Sequence, residues 1–448
     1  MYRNKRVLVV WYTDPRYIPP FVLSNRQIIV GPKISPDQPQ EPFDGFTPYG
    51  RYDLFAALES LRLPVEFDAI VVWSDAHGAN QPINLEAFSC PKILCIGDTH
   101  HLDTPLKKMI DYQNDAKFDF ILSSHNRHHL HWFMEAGFSN VAWLPGIKVR
   151  NLGRPFSDNR KAEVCFFGSA GKVHPRRTHL LRELSQRKAV PFAAMIGRRE
   201  HAADQYSTSA VSLNCSLNGD LNLRVFEILA AGGCLLTDRL SPQSGLDLLM
   251  KEGKEFVGYD SVEECIEQAR FLLAHPQSAL AIARAGNDAF TAHMLPEHRA
   301  QQLFEWVFEG RLDSLFRVDD VHQSLSPDDA TLADRVAIYE QLQELHRVTQ
   351  AASVLFMGDV PDIHVLDALD LRQLTIVVDE DDNSKAKAKP DAIRERCTRM
   401  SSSQLSETSW HCVVASRDGT VPKFIRYKKL IRSGAGGPGG QPGHHFRA

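Results

Sequence analysis

The sequence has no long apolar run and no excess of basic residues. Its longest apolar runs, such as Val7 to Tyr12, are far shorter than the roughly 20 residues that a membrane-spanning helix needs. The 51 Lys and Arg residues are outnumbered by 55 Asp and Glu residues, which gives a formal net charge of −4. We expect no nucleic-acid partner, because the chain lacks a general positive field, and any phosphate that it binds must be held locally.

The sequence also lacks a C-x-x-C pair and a secretory signal. Its 8 cysteines are scattered and lie mostly inside apolar runs, so we expect them to be reduced and buried rather than in disulfides or a zinc site. The apolar stretch after the basic segment 1–6 runs into Asp14 without a small-residue cleavage site. These features predict a cytoplasmic protein.

Length and pattern together predict several α/β domains. A chain of 448 residues is long enough for two or three domains at roughly 100 to 200 residues each. Short β-branched runs alternate with longer mixed stretches, which is typical of parallel sheets with crossover helices. We predict two Rossmann-like domains facing across a cleft, residues 1–150 and 151–310. An α/β accessory region, 311–432, and a disordered tail rich in glycine, 433–448, follow them.

The pattern also locates individual elements. Predicted strands are Val7–Trp11, Ala69–Trp73, Lys92–Ile96, Phe118–Leu122, Val141–Leu144, Glu163–Phe167, Phe192–Ile196, Ala210–Leu213, Cys234–Thr237, Glu255–Tyr259, Ser353–Met357, Leu374–Val378, Trp410–Ala415 and Lys423–Tyr427. Predicted helices are Tyr52–Leu61, His129–Ala136, Pro175–Gln186, Leu223–Ala231, Val262–Ala274, Gln277–Ala292, His298–Phe308 and Asp329–Thr349.

Two segments of the second domain carry the chemistry. The strand Glu163–Phe167 runs into Gly168-Ser169-Ala170-Gly171 and then into a helix that carries Arg176 and Arg177. Glycine backbone N–H groups at a helix start, followed by arginines, suit a phosphate. Further on, a helix that begins directly after Asn222 carries Arg224 and Glu227 and ends at a Gly-Gly pair before a buried strand.

At these residues the sequence resembles the group 1 glycosyltransferases of the two-Rossmann (GT-B) architecture, most closely their spore-maturation-protein (CgeB-like) branch. The matching motifs are Phe166-Phe167-Gly168-Ser169 with Arg176 and Arg177, Ser209 to Asn214, Arg224-Val225-Phe226-Glu227, and His293, His298 and Arg299. The resemblance implies a nucleotide diphosphate sugar as donor and transfer of its sugar to an acceptor hydroxyl. It also implies that Glu227 binds the donor ribose.

Physical chemistry gives the donor residues similar roles. The leaving nucleoside diphosphate gains negative charge, which Arg176, Arg177 and Arg224 can stabilise. Glu227 can accept hydrogen bonds from ribose hydroxyls. The predicted donor-binding set is Gly168, Ser169, Arg176, Arg177, Asn222, Arg224 and Glu227.

Each donor residue has a structural alternative. The glycines can form an ordinary strand-to-helix turn, one of the adjacent arginines can be a solvated helix residue, and Glu227 can stabilise the N-terminus of its own helix. Gly219 stands where the better-known retaining pattern has a first glutamate, eight residues before Glu227, and its neighbour Asp220 is a weak substitute. The stereochemical outcome therefore stays open.

The acceptor side is expected in the first domain. Asp98 and His100 follow the strand Lys92–Ile96, where an Asp or His base can deprotonate an acceptor hydroxyl. Asp14 occupies a similar position after the first strand. The histidines between residues 100 and 131 match no zinc motif, and we expect them to be solvated or to line a cleft.

We therefore predict a glycosyltransferase that needs no metal or other cofactor, with a glycan, a protein or a small molecule as acceptor. One alternative is a metal-dependent hydrolase that uses the His-rich segment 98–131. The other is a non-catalytic scaffold that binds nucleotides.

Overall fold

The computed structural model describes residues 2, 4–13, 18, 24, 26–149, 154–171, 173–197 and 199–318. It also describes four helical pairs, 332–333, 336–337, 339–340 and 343–344, and five later strands. The predicted tail, 433–448, and Asp14 lie outside the described residues. The predicted helix Asp329–Thr349 is described only at the four pairs, all of which are helical.

The first domain is built on a seven-stranded parallel sheet with the order β3-β2-β1-β5-β7-β8-β9. Its strands are β1 (Arg6–Val10), β2 (Arg26–Pro32), β3 (Gly45–Thr47), β5 (Ala69–Ser74), β7 (Lys92–Ile96), β8 (Phe120–Ser123) and β9 (Val141–Trp143). A small parallel pair consists of β4 (Gly50–Asp53) and β6 (Asn80–Ile83). The helices are α1 (Leu54–Ser60), α2 (Pro105–Ala116) and α3 (His131–Glu135).

Central strands of this sheet are apolar along their whole length because both faces are covered. All six residues of β5 are buried, as expected for a parallel sheet between helical layers. Val7 of β1 lies opposite Ala69 of β5, and Ile70 of β5 lies opposite Lys92 of β7. The carboxyl ends of these strands therefore lie side by side, and the polar residues that follow them meet at one edge.

The second domain has a five-stranded parallel sheet with the order β11-β10-β12-β13-β14. The strands are β10 (Lys161–Phe167), β11 (Phe192–Met195), β12 (Ser209–Leu213), β13 (Leu235–Asp238) and β14 (Val257–Tyr259). The helices are α4 (Pro175–Arg187), α5 (Arg199–Thr208), α6 (Leu223–Ala230), α7 (Leu246–Leu249), α8 (Val262–Ala274), α9 (Pro276–His293) and α10 (Pro296–Glu309). The predicted fold class, two Rossmann-like α/β domains, is confirmed.

Helix α10 returns to the first domain. Leu303 and Phe304 of α10 belong to the same buried apolar cluster as Val7 and Val9 of β1. Trp306 also packs edge-on against Phe120 of β8, with 4.9 Å between ring centroids. Helix α10 therefore packs into the core of the first domain, and both sheets belong to one compact unit of the chain.

A second unit contains the strands from residue 353 onward. Its sheet has the order β17-β16-β15-β18-β19. The strands are β15 (Ser353–Met357), β16 (Thr375–Asp379), β17 (Cys397–Met400), β18 (Cys412–Ala415) and β19 (Lys423–Ile425). In this sheet only β19 runs antiparallel to its neighbour, and the other strands pair in parallel. Parallel pairing is typical of the α/β sheet that was predicted for the accessory region. Among the described residues, no helix is both long and apolar enough to cross a bilayer.

Candidate functional site

The glycine that ends β10 has a steric role. Gly168 has φ +148°, and a Cβ added to it would lie 2.3 Å from Nη2 of Arg224. Its N–H donates to the carbonyl oxygen of Met195 at 2.9 Å. The N–H of Gly171 likewise donates to Oγ1 of Thr178 at 2.8 Å. Both N–H groups have partners inside the chain, so the expectation that they reach a phosphate is corrected: Gly168 instead makes room for a guanidinium.

Arg224 is fixed against this turn from α6. Its Nε donates to the carbonyl oxygen of Phe167 at 2.9 Å and its Nη1 to Oδ1 of Asn214 at 3.0 Å. The guanidinium carbon lies 4.5 Å from the ring centroid of Phe166. The positive charge of Arg224 is therefore held at the carboxyl end of β10 by neutral groups.

Arg177 is buried in the same region and is not a solvated helix residue. It donates to the carbonyl oxygens of Cys215, at 2.8 Å from Nη2, and of Ser169, at 3.1 Å from Nη1. Burial, and then the charge of Arg224, lower its pKa from the ordinary arginine value. Ser169 is an exposed residue, and its backbone carbonyl oxygen is the group that holds Arg177.

Arg176 has a different environment from Arg177. Its Nη1 lies 3.1 Å from Oδ2 of Asp238, a carboxylate with no exposed surface. The side chain of Arg176 itself is 21% exposed. This ion pair compensates the charge of Arg176, whereas Arg177 and Arg224 bond only neutral oxygens among their described hydrogen-bond partners.

The start of α6 presents one polar side chain, that of Asn222, whose atoms have no hydrogen-bond partner within the part of the chain that the structure describes. Asn222 is the N-cap residue, but its side chain makes no capping hydrogen bond. Its amide oxygen and nitrogen are both buried and have no hydrogen-bond partner. Glu227 is half-buried on the same helix. The first turn of α6 contains no acidic residue, so Glu227 lies beyond the reach of the helix N-terminus and the capping alternative loses support.

Sequence reasoning missed His174, the N-cap residue of α4. Its Nδ1 is buried without a hydrogen-bond partner. Burial, followed by the charges of Arg177 and of His101 in the first domain, lowers its pKa to about 3. A neutral imidazole thus lies near groups of both domains. The signal for its position was Pro175, which is typical of the first residue of a helix.

On the acceptor side, the structure places Asp98 at the end of β7, where its side chain is 37% exposed and lies 4.0 Å from Nε2 of His101. Burial opposes its ionisation, but electrostatic interactions with the neighbouring histidines, His100 first, and with Lys148 hold the pKa of Asp98 well below its usual range. Asp98 is therefore ionised and a weak base.

Two buried charged residues near Asp98 were not predicted. Asp75 follows the neighbouring strand β5, and burial, then the charge of Asp98, raise its pKa. Lys148 donates to the hydroxyl of Tyr12 at 3.2 Å and lies 4.7 Å from the ring centroid of Trp73. Asp75 is the stronger base of the two carboxylates, because their environments shift the two pKa values in opposite directions.

The second predicted catalytic residue, His100, lies between the domains. Its Nδ1 is 3.1 Å from Nδ2 of Asn126, and its Nε2 is 3.6 Å from Oδ2 of Asp220 in the second domain. Both ring nitrogens thus face protein groups. His100 connects the domains. Of the two predicted catalytic residues, Asp98 is the more accessible.

The other histidines of this segment are buried, so of the two expected arrangements, solvated or lining a cleft, the solvated one is wrong. His125, His128, His129 and His131 are each at most 5% exposed. Burial lowers the pKa of His125 and of His128 to about 3, which keeps their rings neutral. Within the described residues, no three His, Cys, Asp or Glu side chains are grouped so that they could hold a metal ion.

Comparison with protein families assigns the second domain. Residues 156–305 match the family described as "Glycosyl transferase-like". The match therefore identifies this domain as glycosyl transferase-like, over about a third of the chain. The matched range contains every predicted donor residue, from Gly168 to Glu227, and none of the His-rich segment 98–131. The match supports the predicted enzyme class, and the metal-dependent hydrolase is not favoured.

Several solved structures are similar to this one at low sequence identity. Sucrose-phosphate synthase from Thermosynechococcus elongatus is 12% identical, with a TM-score of 0.47 over 68% of this chain and 100% of that one. Anabaena Alr3699/HepE in complex with UDP-glucose is 11% identical, with a TM-score of 0.44 over 67% and 99%. TarM is 8% identical, with a TM-score of 0.39 over 54% of each chain, so this chain spans about half the length of TarM. No curated protein is significantly similar in sequence.

Proposed function

We propose that the glycosyltransferase moves a sugar from a nucleoside diphosphate sugar to an acceptor hydroxyl, with the donor held by residues 168–227. One observation carries the proposal. Arg177 and Arg224 present two positive charges at the carboxyl end of β10, and neither pairs with a carboxylate in the described part of the chain.

Such fixed charges suit the chemistry of sugar transfer. The bond from the sugar to the diphosphate breaks, and the leaving diphosphate gains negative charge in the transition state. Guanidinium groups that are already held in place stabilise this charge without reorganising. Binding to neutral carbonyl oxygens fixes Arg177 and Arg224 but leaves their charge available. No metal is needed in this scheme.

The side chains of Asn222 and Glu227 fit the rest of the donor. The buried amide of Asn222 can donate two hydrogen bonds from its nitrogen and accept up to two at its oxygen, and a bound donor would use both atoms. Glu227, further along the helix, accepts hydrogen bonds from the ribose hydroxyls. The acceptor hydroxyl lies against the carboxyl edge of the first sheet, near Asp98 and Asp75, and belongs to a glycan, a protein or a small molecule.

Two finer assignments also stay proposals. The motifs around Gly168 and Arg224 favour the CgeB-like branch of the group 1 enzymes. A cytoplasmic location is supported by six described cysteines, Cys90, Cys95, Cys165, Cys215, Cys234 and Cys265, which are buried and unpaired.

A ligand panel tests the donor site. We expect one nucleoside diphosphate among UDP, GDP, ADP and TDP to raise the apparent melting temperature of the full chain, because a ligand that binds the native state stabilises it. Glu227→Gln should reduce this shift, whereas Glu267→Gln, an exposed residue of α8, should not. The matching sugar nucleotide should then release diphosphate in the presence of an acceptor. If no member of the panel shifts the melting temperature, the proposed function fails.

A further inference from the structure

We propose that Tyr339 and Gln343, which lie beyond both Rossmann-like domains in sequence, are positioning residues for the donor site. They hold residues 214–222, here called the donor loop, through buried hydrogen bonds that cross the first domain. The donor loop joins β12 to α6 and ends at Asn222. The inference therefore rests on the proposed function for its consequence in catalysis, though not for its structural basis.

A single amide side chain makes the direct connection. Nδ2 of Asn218, in the donor loop, donates to the carbonyl oxygen of His100 at 2.6 Å and to the carbonyl oxygen of Gln343 at 3.4 Å. Asn218 has φ +55°, a left-handed conformation that asparagine adopts more readily than most residues. The loop is thus tied at its tip to the first domain and to the segment that contains Gln343.

An indirect connection starts at Tyr339. Its hydroxyl makes a short hydrogen bond with Nε2 of His129 and accepts another from Nε2 of Gln343 at 3.3 Å. On the other side of the ring, Nδ1 of His129 lies 2.7 Å from Oγ1 of Thr99. Tyr339 and His129 are each 1% exposed and Gln343 is 3% exposed. Water does not compete for these bonds.

The connection continues through Asn126 to the donor loop. Nδ2 of Asn126 donates one proton to Oγ1 of Thr99 at 2.9 Å and the other towards Nδ1 of His100 at 3.1 Å. Nε2 of His100 then faces Oδ2 of Asp220 at 3.6 Å. The other carboxylate oxygen of Asp220 accepts the N–H of Leu217 at 2.6 Å. Asp220 therefore fixes the loop from inside and faces the first domain at the same time.

The imidazole of His129 joins the two halves of this connection. Burial holds the pKa of His129 well below its usual range, so the ring is neutral, with one nitrogen that donates and one that accepts. The hydroxyls of Thr99 and Tyr339 can each donate or accept, so both ring nitrogens are satisfied in either tautomer. Removing the phenol oxygen takes away the hydroxyl partner of Nε2 of His129, and losing a buried hydrogen bond is costly in a dry interior.

Two backbone amides report on the donor loop. The N–H of Leu217 is bonded to Asp220, and the N–H of Leu221 donates to the carbonyl oxygen of His125 at 3.3 Å. The Leu221 bond depends on the loop staying against the first domain, and the Leu217 bond depends on the loop keeping its own conformation. Hydrogen exchange at these two amides therefore measures the position and the conformation of the loop without any ligand.

Tyr339→Phe tests the proposal in the full chain, with Glu340→Gln as the matched control. Both residues are buried in the same segment, but Glu340 bonds only helix α2 in the described contacts. We expect Tyr339→Phe to speed exchange at Leu217 and Leu221 roughly tenfold, the factor for one buried hydrogen bond. It should also weaken binding of the nucleoside diphosphate selected from the panel by a similar factor. Glu340→Gln should leave both within twofold.

The outcomes separate this proposal from the proposed function. Unchanged exchange in Tyr339→Phe overturns the positioning role, whether or not nucleotides bind. Faster exchange with no nucleotide binding in the wild type supports the role of Tyr339 and removes the donor site. If Tyr339→Phe does not fold, Asn218→Ala, which removes the direct connection, should give the same faster exchange, and unchanged exchange there contradicts the proposal.

Discussion

Glu340 should make the stability of the protein depend on pH in the neutral range. Helix α2 begins after Thr104, which has φ +43° and makes no side-chain cap. Instead, Oε1 of Glu340 accepts the N–H of Leu106 at 2.6 Å and that of Lys107 at 3.1 Å. Burial is the largest influence on Glu340 and raises its pKa from 4.5 to about 7. The charge of Asp103 also raises it, while the two N–H groups and the charge of Lys107 lower it.

The sign of the effect follows from this raised pKa. A folded-state pKa above the unfolded value means that the folded protein binds the proton more tightly, so stability is highest below pH 4.5 and declines as pH rises to about 7. The full change is roughly 3 kcal/mol, and the part between pH 5 and pH 8 is roughly 2.5 kcal/mol. The protonated carboxyl keeps both hydrogen bonds, because Oε1 accepts both and the proton can lie on Oε2.

Glu340→Gln isolates this contribution, since the amide oxygen can accept the same two N–H groups and carries no charge. Urea unfolding of both proteins at several pH values gives the difference in free energy of unfolding. We expect the difference to change by roughly 2.5 kcal/mol in favour of Glu340→Gln between pH 5 and pH 8. A difference that stays constant over this range would refute the reasoning, because it would mean that Glu340 titrates alike in the folded and unfolded chains.

Two substitutions test the donor site itself. In Gly168→Ala, the new Cβ would lie 2.3 Å from Nη2 of Arg224 at φ +148°, so we expect the guanidinium to move and nucleotide affinity, measured by calorimetry, to fall at least about tenfold; an unchanged Kd would contradict this. In Arg177→Lys, one ammonium cannot bond the carbonyl oxygens of both Cys215 and Ser169, and we expect urea unfolding to show a loss of about 2 kcal/mol. A loss below about 0.5 kcal/mol would mean that these two hydrogen bonds do not hold the carboxyl ends of β10 and β12 together.

Sequence patterns predicted the buried strands and amphipathic helices well. The predicted bounds of β7, α8 and β15 agree with the structure at every residue. These segments have continuous apolar runs or a helical repeat, so burial and local preference agree. The short strands β3, β4 and β6 and strand β17 were not predicted. β6 contains Asn80, Gln81 and Pro82, which do not favour a strand, and pairing with β4 outweighs their preferences.

Two longer helices, the four-residue helix α7 and one longer strand were also missed. Helix α2 carries Leu106, Met109 and Ile110 on its buried face, a helical spacing that was available in the sequence. Helix α5 has little apolar periodicity, so its position depends on packing against β10 and β12. Strand β2 contains Gly31 and ends at Pro32, two residues that usually interrupt strands.

The donor site shows what a sequence can and cannot give. Because carboxyl ends of parallel strands meet at one edge, the sequence placed Gly168 and Arg224 in one region although 56 residues separate them. The sequence could not show which arginines pair with a carboxylate and which do not. Only the structure shows that Arg176 faces a buried carboxylate while Arg177 and Arg224 bond neutral oxygens.

The same limit explains why the role of the segment around Tyr339 escaped sequence reasoning. Its helical repeat predicts a buried face, yet Tyr339 bonds His129, a residue 210 positions earlier in the chain, and no local pattern encodes such a pairing. Buried polar side chains need partners, and here the partners come from two domains and a later segment. A chain of bonds that is satisfied only when all three are in place couples their positions, since losing any one leaves a buried donor or acceptor unpaired. In this protein the donor loop is therefore positioned by residues well outside the domain that carries it.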